Sequence, residues 1–446
     1  MIKEDIEKAI KQLKENLTKY QKFERYYDGT HDLAFATDKF KNAFGTLFRE
    51  FSLNLCPAVC DALKDKLKIK NFKVEDGKSD LPKDAWKLWQ SNRMGLRSGE
   101  IHKEAIKKGD SYIMVWVDPN KKVTIYPQKA ERCTVLYDEE IPGKIQWAAK
   151  TWKTADKEKK ARINIYYPDR TERYISKKKI ETGLPDFKDL IPYDEDGISN
   201  EIPNNYNIVP VFHFANNADI GMPGQSELKN GINVQDALNK SVLDMLVAME
   251  YASFQQRYAS GIEIEYDDDG NPIPPFKGGI DRLWVTENPD AKFGEFSAAD
   301  LEQFLKVKAD FRIDMACVTG TPLYYFMLTT GEMPSGESLK KQETRFTNKA
   351  TDRQEAFGQV WEDAISFGLL LDGKGKDIQL FTDWVEAAPT SEKENLGNII
   401  LKQEIGISDR QALIEAGYGE SDVDRMMQEN KDRTEQESRD FNAGDE

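Results

Sequence analysis

A stretch that cannot be helical, Thr319 to Ser335, lies between two stretches that read as helix, and this constrains the fold more than any other feature of the chain. Gly320, Pro322, Gly331 and Pro334 fall within that short span. Proline lacks a backbone N–H and clashes with the preceding turn, so the incoming helix has to stop there. Ser335 is suited to cap the next helix, with Glu337 in its first turn at the positive end of the dipole. Leu339, Phe346, Ala350, Phe357, Trp361, Ala364, Ile365 and Gly368 then mark one face over about 35 residues, a rod of about 50 Å. A rod that long buries its apolar face only if other elements lie along it.

Ahead of the loop, Ser226 to about Ser260 reads as one helix, with Leu228, Ile232, Leu238, Val242, Leu246 and Met249 on its apolar face. Ser297 to Thr319 reads as a second, with Asp300 and Glu302 at its N-terminal end. Between them lies a compact strand-and-turn insert in which Ile262 and Ile264 alternate with acids and Asp269-Gly270-Asn271-Pro272 marks a turn. At the N-terminus, Ile2, Ile6, Ile10, Leu13 and Leu17 describe an amphipathic helix ending at Asp28-Gly29. A helical region follows over Asp38 to Lys68, broken at Pro57, then helices from Leu81 and over Gly95 to Lys108, stopped by Gly109. The period then changes to two, giving strands at Ser111–Val117, Val123–Tyr126, Cys133–Tyr137, Ile145–Ala149, Arg162–Tyr167 and Arg173–Ile175. After a loop region, Val209 to Phe214 is a short apolar run, and beyond Asp372-Gly373 come a strand over Ile378 to Val385 and short helices to Met427. Helices followed by a block of strands place the chain in the α+β class.

Asp and Glu outnumber Lys and Arg by 78 to 63, for a net charge of -15, the wrong sign for a protein that grips nucleic acid by neutralising phosphates. Any DNA contact must be local, or else weak. No G-x-x-x-x-G-K-[ST] loop is present, so nucleotide hydrolysis is not expected. His31, His102 and His213 are far apart in sequence, and Cys56 and Cys60 have the spacing of neither a redox pair nor a zinc knuckle; neither metal nor cofactor is expected. Glu265 to Phe276 has the odd-position oxygens of a calcium loop but lacks its final Glu, which favours a hairpin turn. The most apolar helical stretch, Val242 to Ala252, holds Asp244 and Glu250 and is too short to span a bilayer.

Several local stretches, taken in order, carry a resemblance. Tyr26-Tyr27-Asp28-Gly29, Phe35-Ala36-Thr37-Asp38-Lys39-Phe40, Asn54-Leu55-Cys56-Pro57-Ala58-Val59-Cys60-Asp61, Thr319-Gly320-Thr321-Pro322 and Ser335-Gly336-Glu337-Ser338-Leu339 look like recurring stretches of tailed-phage portal proteins, the long-tailed type above all. The order of elements is similar to that family's as well. The resemblance implies a wing over 1–225, stem helices over 226–260 and 298–318, a clip over 261–297 and a tunnel loop over 319–335. It further implies a long spine helix over 336–371, a wing strand over 372–390 and a helical crown with an acidic tail over 391–446. It implies a non-enzymatic subunit of a ring, of twelve copies in that family, at one capsid vertex of the virion, made in the bacterial host cytoplasm. DNA would pass through the ring during packaging and ejection. The implied partners are further copies of the chain, double-stranded DNA held weakly and without sequence preference, terminase, head-tail adaptor proteins, scaffold and major capsid protein, with no membrane.

On that resemblance Leu328, Thr329, Thr330, Gly331, Glu332 and Met333 form the loop tip facing the channel, with no Lys or Arg from Ile313 to Leu339. Such a tip touches DNA without clamping it. The alternative for Tyr324 to Leu328 is packing as core against the next helix. Lys341, Arg345, Lys349 and Arg353 recur every four residues as one basic stripe, either a sparse ring near DNA or a partner to acids such as Glu337, Glu343 and Asp352. Glu263, Asp267, Asp268, Asp269 and Pro272 are expected to dock partner proteins at the clip. Two other readings remain: a different head-tail adaptor or helical scaffold protein, and a nucleic-acid-processing enzyme, for which no clustered catalytic set is visible.

Overall fold

The computed structural model describes residues 2–35, 37–38, 42, 53–74, 80–155, 158–181, 183–194, 197–220, 222–253, 257–262, 266–272, 288–295, 302–327, 336–375, 378–388, 392–416, 418 and 423–433. The chain mixes helix and sheet and divides into two compact units, one of Met1–Glu24, Ala58–Lys229 and Gly320–Glu446, the other of Arg25–Pro57 and Asn230–Thr319. Among the described residues no helix is long and apolar enough to cross a membrane.

The first unit opens with helix α1 (Ile2–Asp28), of which residues up to Glu24 belong to it. Next come α2 (Cys56–Asp65), which belongs to it from Ala58 on, strand β1 (Ile69–Lys73), α3 (Leu81–Ser91) and α4 (Met94–Lys108). Pro57 sits in the first turn of α2, where its missing N–H costs nothing, rather than interrupting a longer helix. The expected helical region reaching Lys68 is corrected in part, since Lys68 leads straight into β1. Strands β2 (Asp110–Val117), β3 (Val123–Gln128) and β10 (Val211–Ala215) make an antiparallel three-stranded sheet in the order β10-β2-β3. A second antiparallel sheet runs β4 (Cys133–Tyr137), β5 (Ile145–Lys153), β6 (Lys160–Tyr166), β7 (Arg170–Lys179) and β8 (Leu190–Pro192), with β9 (Glu201–Pro203) also on β7.

Alternation decides which face of this larger sheet is covered. Trp147, Ala149, Ile163 and Ile165 point to one side and are buried by Ile6, Ala9 and Ile10 of α1. On the other side Cys133, Ala148 and Tyr166 meet Tyr112, Met114 and Val211 of the smaller sheet. The smaller sheet is thus covered on both faces, and the first six residues of β2 are all buried.

The long helix α7 (Gly336–Leu371) lies over β10 and β2. Its apolar face, Phe346, Ala350, Phe357, Trp361, Ala364 and Ile365, is almost wholly closed to solvent. Trp361 stands edge-on to Trp89 of α3 with ring centroids 4.8 Å apart, and its Nε1–H donates to His102 Nε2 at 2.8 Å. Since His102 Nε2 accepts, Nδ1 carries the proton and donates to the Leu67 carbonyl at 3.2 Å. Burial holds this imidazole neutral, with its pKa lowered to about 3. Gly368 is packed so closely that a Cβ there would fall 2.6 Å from Leu88 Cδ2. Strand β13 (Phe381–Trp384) pairs with β1, and α8 (Glu392–Glu404) and α9 (Asp409–Glu415) follow, α9 capped by Ser408.

The second unit holds α5 (Ile232–Ser253), a two-stranded ribbon of β11 (Arg257–Ser260) with β12 (Lys292–Glu295), and α6 (Glu302–Thr319), which packs on α5. The expected helix from Ser226 to Ser260 is therefore corrected at both ends. Its start is drawn off because Ser226 Oγ donates to the Lys107 carbonyl at 2.5 Å, and its end gives way to β11. Several polar groups buried in this unit are paired: Tyr26 donates to Asp236 at 2.9 Å, and Gln235 bonds the Leu53 carbonyl at 2.6 Å and the Leu55 N–H at 2.9 Å. His31 stacks on Tyr26, with burial holding its pKa below the usual imidazole value.

Candidate functional site

The root of the 319–335 segment is ordered by the start of α7. Gly320 turns the chain at φ +64, a conformation that favours glycine, with the Arg345 guanidinium beside it. Leu323–Tyr325 form one 3-10 turn; Phe326 is buried, and the Tyr325 ring lies 5.9 Å from Phe346 of α7. Of the three aromatics in the run, Tyr325 thus packs on the helix and Phe326 is buried, while Leu323 is exposed. The expected tip, Leu328, Thr329, Thr330, Gly331, Glu332 and Met333, lies outside the described residues.

The four cations of the α7 stripe meet different surroundings. Lys341 and Arg345 are exposed, and no carboxylate pairs with Arg345 among the described residues. Lys349 and Arg353 converge instead on Glu227, at 2.5 and 3.1 Å. Arg353 Nε also donates to Asn216 Oδ1 at 2.9 Å, and Asn216 Nδ2 donates to Glu227 at 3.1 Å and to the Gln225 carbonyl at 2.7 Å. Burial alone pushes the Glu227 carboxyl up; the charges of Lys349 and Arg353, with hydrogen bonds from Lys349 and Asn216, outweigh it and hold the group below the usual carboxylate range.

Glu227 is held in place by the chain around it. Its backbone N–H donates to the Ile106 carbonyl at 3.0 Å, next to the Ser226 bond to α4. Gly109 ends α4 at φ +104 and abuts Gly224: a Cβ on Gly224 would fall 1.9 Å from the Gly109 carbonyl oxygen. The Gly224 N–H donates to Asp110 at 2.8 Å, and Asp110 also accepts from Tyr20 at 2.6 Å and bonds His213 Nε2 at 2.9 Å. Tyr137 completes the chain at His213 Nδ1, 2.9 Å away. Burial raises the Asp110 carboxyl, but His213 and Tyr20 more than offset it, and the group is held low. The buried polar groups from Tyr137 to Arg353 therefore fix the stripe's C-terminal half to α1, α4 and both sheets.

Sequence reasoning missed Glu227, Asn216 and Asp110 because helical spacing reveals acids at i±4 on the same helix, not one at a distant position. The Gly109 stop is visible in the sequence, but not its meeting with Gly224.

At the insert, Tyr266 and Pro272 form an isolated bridge around a turn. The Asp267 carboxylate accepts N–H groups of Asp269 at 3.1 Å and Asn271 at 2.7 Å, so it is spent inside the turn and held low by those bonds. Asp268, Asp269 and Pro272 are exposed, and Glu263 lies outside the described residues. Among the described residues no group of three or more His, Cys, Asp or Glu is arranged to hold a metal ion.

A family model described as phage portal protein, SPP1 Gp6-like, matches residues 6–440. Proteins named portal protein from Mycobacterium phage D29 and Mycobacterium phage L5 are each 23% identical over 336 and 334 residues, covering 71% of this chain and 64% of each relative. The chain thus spans just under two thirds of the length of these curated relatives. Among solved structures, chains from the virion of a native gene transfer agent particle and from the neck of an empty one share 12% identity, with TM-scores of 0.46 and 0.47. Both alignments cover 87% of this chain and 96% of the other.

Proposed function

Since the chain belongs to the SPP1 Gp6-like family of phage portal proteins, we propose that it is the ring-forming subunit of a capsid vertex through which double-stranded DNA enters and leaves. The family is structural rather than enzymatic. In this reading α5 and α6 are the stem, the β11–β12 ribbon and the Tyr266–Pro272 turn belong to the clip, the segment after Gly320 is the tunnel loop and α7 is the spine. Twelve copies close the ring. Terminase and then head-tail adaptor proteins dock at the clip, through Asp268 and Asp269 with Glu263, while scaffold and major capsid protein meet the outside.

One observation carries the mechanism: Lys349 and Arg353 are both held by the carboxylate of Glu227, whereas Arg345 stands exposed beside the root of the loop. Each neutralised phosphate adds to a binding free energy that a sliding duplex must overcome repeatedly, so fewer open cations mean less drag. The stripe therefore divides into an anchor at Lys349 and Arg353 and a weak contact made by Arg345, and the ring is a passive conduit whose energy comes from the motor that docks on it. The test is duplex binding by the assembled protein as salt is raised. Arg345→Glu is expected to abolish a weak, steeply salt-dependent binding without changing assembly. Unchanged binding by Arg345→Glu overturns the division of the stripe.

A further inference from the structure

Charge is distributed very unevenly along this acidic chain. From Lys144 to Lys179 there are twelve Lys or Arg against four Asp or Glu, while the remainder carries 51 against 74. Those residues form β5, β6 and β7, and pairing register puts many of them on the face turned away from α1. Lys150, Asn164 and Arg173 lie in one row across the three strands; Trp152, Arg162 and Ile175 form the next, continued by Ile191 of β8. Two residues on along β7, Lys177 keeps the same side.

The cations here rest on rings and carbonyls. Lys150 Nζ lies 5.3 Å from the Trp152 ring centroid, and the Arg162 guanidinium 3.9 Å from that of Tyr193, with Arg173 5.7 Å from it. Arg173 also donates to the Ile198 and Ser199 carbonyls at 2.9 and 3.0 Å, and Lys177 to the Lys188 carbonyl at 3.1 Å. Neither Lys150 nor Lys177 meets a carboxylate among the described residues. Half-burial, with Arg132 nearby, lowers the Lys150 ammonium from its ordinary value, the state of a cation that an incoming anion would stabilise. Beside them Ile191 and Ile198 are 41% and 52% exposed.

We propose that the part of this β5–β8 face that the smaller sheet leaves uncovered is a docking surface for a protein segment that presents carboxylates next to aliphatic side chains. Two features select protein over nucleic acid. Cations already cover Tyr193 and Trp152, so bases gain no stacking platform there. Exposed isoleucines beside the charges match an apolar partner that a phosphate backbone does not offer. The surface lies wholly within the first unit and is independent of the loop and stripe assigned to DNA.

The test uses the full chain with three labelled probes at physiological salt: a short peptide alternating Glu with Leu, polyglutamate of the same length, and a short DNA duplex. The alternating peptide is expected to bind most tightly and to lose about tenfold in affinity in Lys150→Gln combined with Lys177→Glu, with the circular dichroism unchanged. Should that pair disturb folding, Lys177→Glu alone alters only an exposed side chain on this face and repeats the measurement. Tighter binding of the duplex or of polyglutamate, or a peptide affinity unmoved by the substitutions, overturns the proposal. So does a change in self-association of the substituted protein, which would make the occupant a second copy.

Discussion

The Arg353 guanidinium lies 3.1 Å from the Glu227 carboxylate, with both side chains at least 90% closed to solvent, so two ions far apart in sequence hold each other in a place where neither is stable alone. Lys349 shares the same carboxylate. Taking ions out of water is costly, and the arrangement holds because Asn216 satisfies what the ions leave over.

Glu227→Ala is accordingly expected to destabilise the protein by about 3 kcal/mol, since it leaves the buried Arg353 and the partly buried Lys349 without this counter-charge. Arg345→Ala, at an exposed position, is expected to stay within about 0.5 kcal/mol. Urea denaturation of the two variants against the parent measures both, and equal midpoints would mean that the pair anchors nothing.

The clasp between Gly109 and Gly224 gives a sharper contrast. Gly224→Ala puts a Cβ 1.9 Å from a carbonyl oxygen and is expected to cost more than about 3 kcal/mol, because backbone has to move. Gly143→Ala, at φ +80 in open space, is expected to cost about 1 kcal/mol from backbone strain alone. Similar losses in denaturation midpoint at the two sites would show that the clasp is loose.

Acid sensitivity is expected to begin with histidine. The folded pKa of His102 is lowered to about 3, so the native state refuses a proton that the unfolded chain takes up near pH 6.5. Stability is whole above that pH and falls as pH drops toward 3, by on the order of 4 kcal/mol across the window. His31, also held low, adds in the same direction. Asp110 and Glu227 contribute stability present above the unfolded carboxyl range and lost as pH falls through their depressed folded values. In His102→Phe the decline between pH 6.5 and 5 is expected to shrink sharply, although the variant starts lower because Trp361 Nε1 and the Leu67 carbonyl lose their partner. An unchanged slope from urea midpoints across that range would rule out the assignment.

The elements most legible in the sequence are those whose signal is local and long. The apolar spacing from Leu339 to Gly368 places a helix where α7 runs, Gly109 marks the end of α4, and period-two runs mark β2 through β7. What escaped is what depends on distant chain. Strand β1 is only Ile69–Lys73, mixed in polarity, and exists because Phe72 and Asn71 pair with Thr382 and Asp383 more than three hundred residues later. Arg257–Ser260 read as helix because its partner, Lys292–Glu295, supplies the strand context. At the site, the four-residue spacing of Lys341, Arg345, Lys349 and Arg353 was plain, yet nothing in that spacing tells which of them an acid near position 227 will neutralise. His213 likewise looked like an isolated residue until folding set it between Asp110 and Tyr137.

Imaging the purified 446-residue chain by negative stain, with its native mass measured in parallel, shows whether it closes into a ring around a channel. The expectation is closed rings with a central hole and a mass that is a whole multiple of the 51.0 kDa chain. A population of monomers or open filaments at the concentrations where the protein is well folded would contradict it.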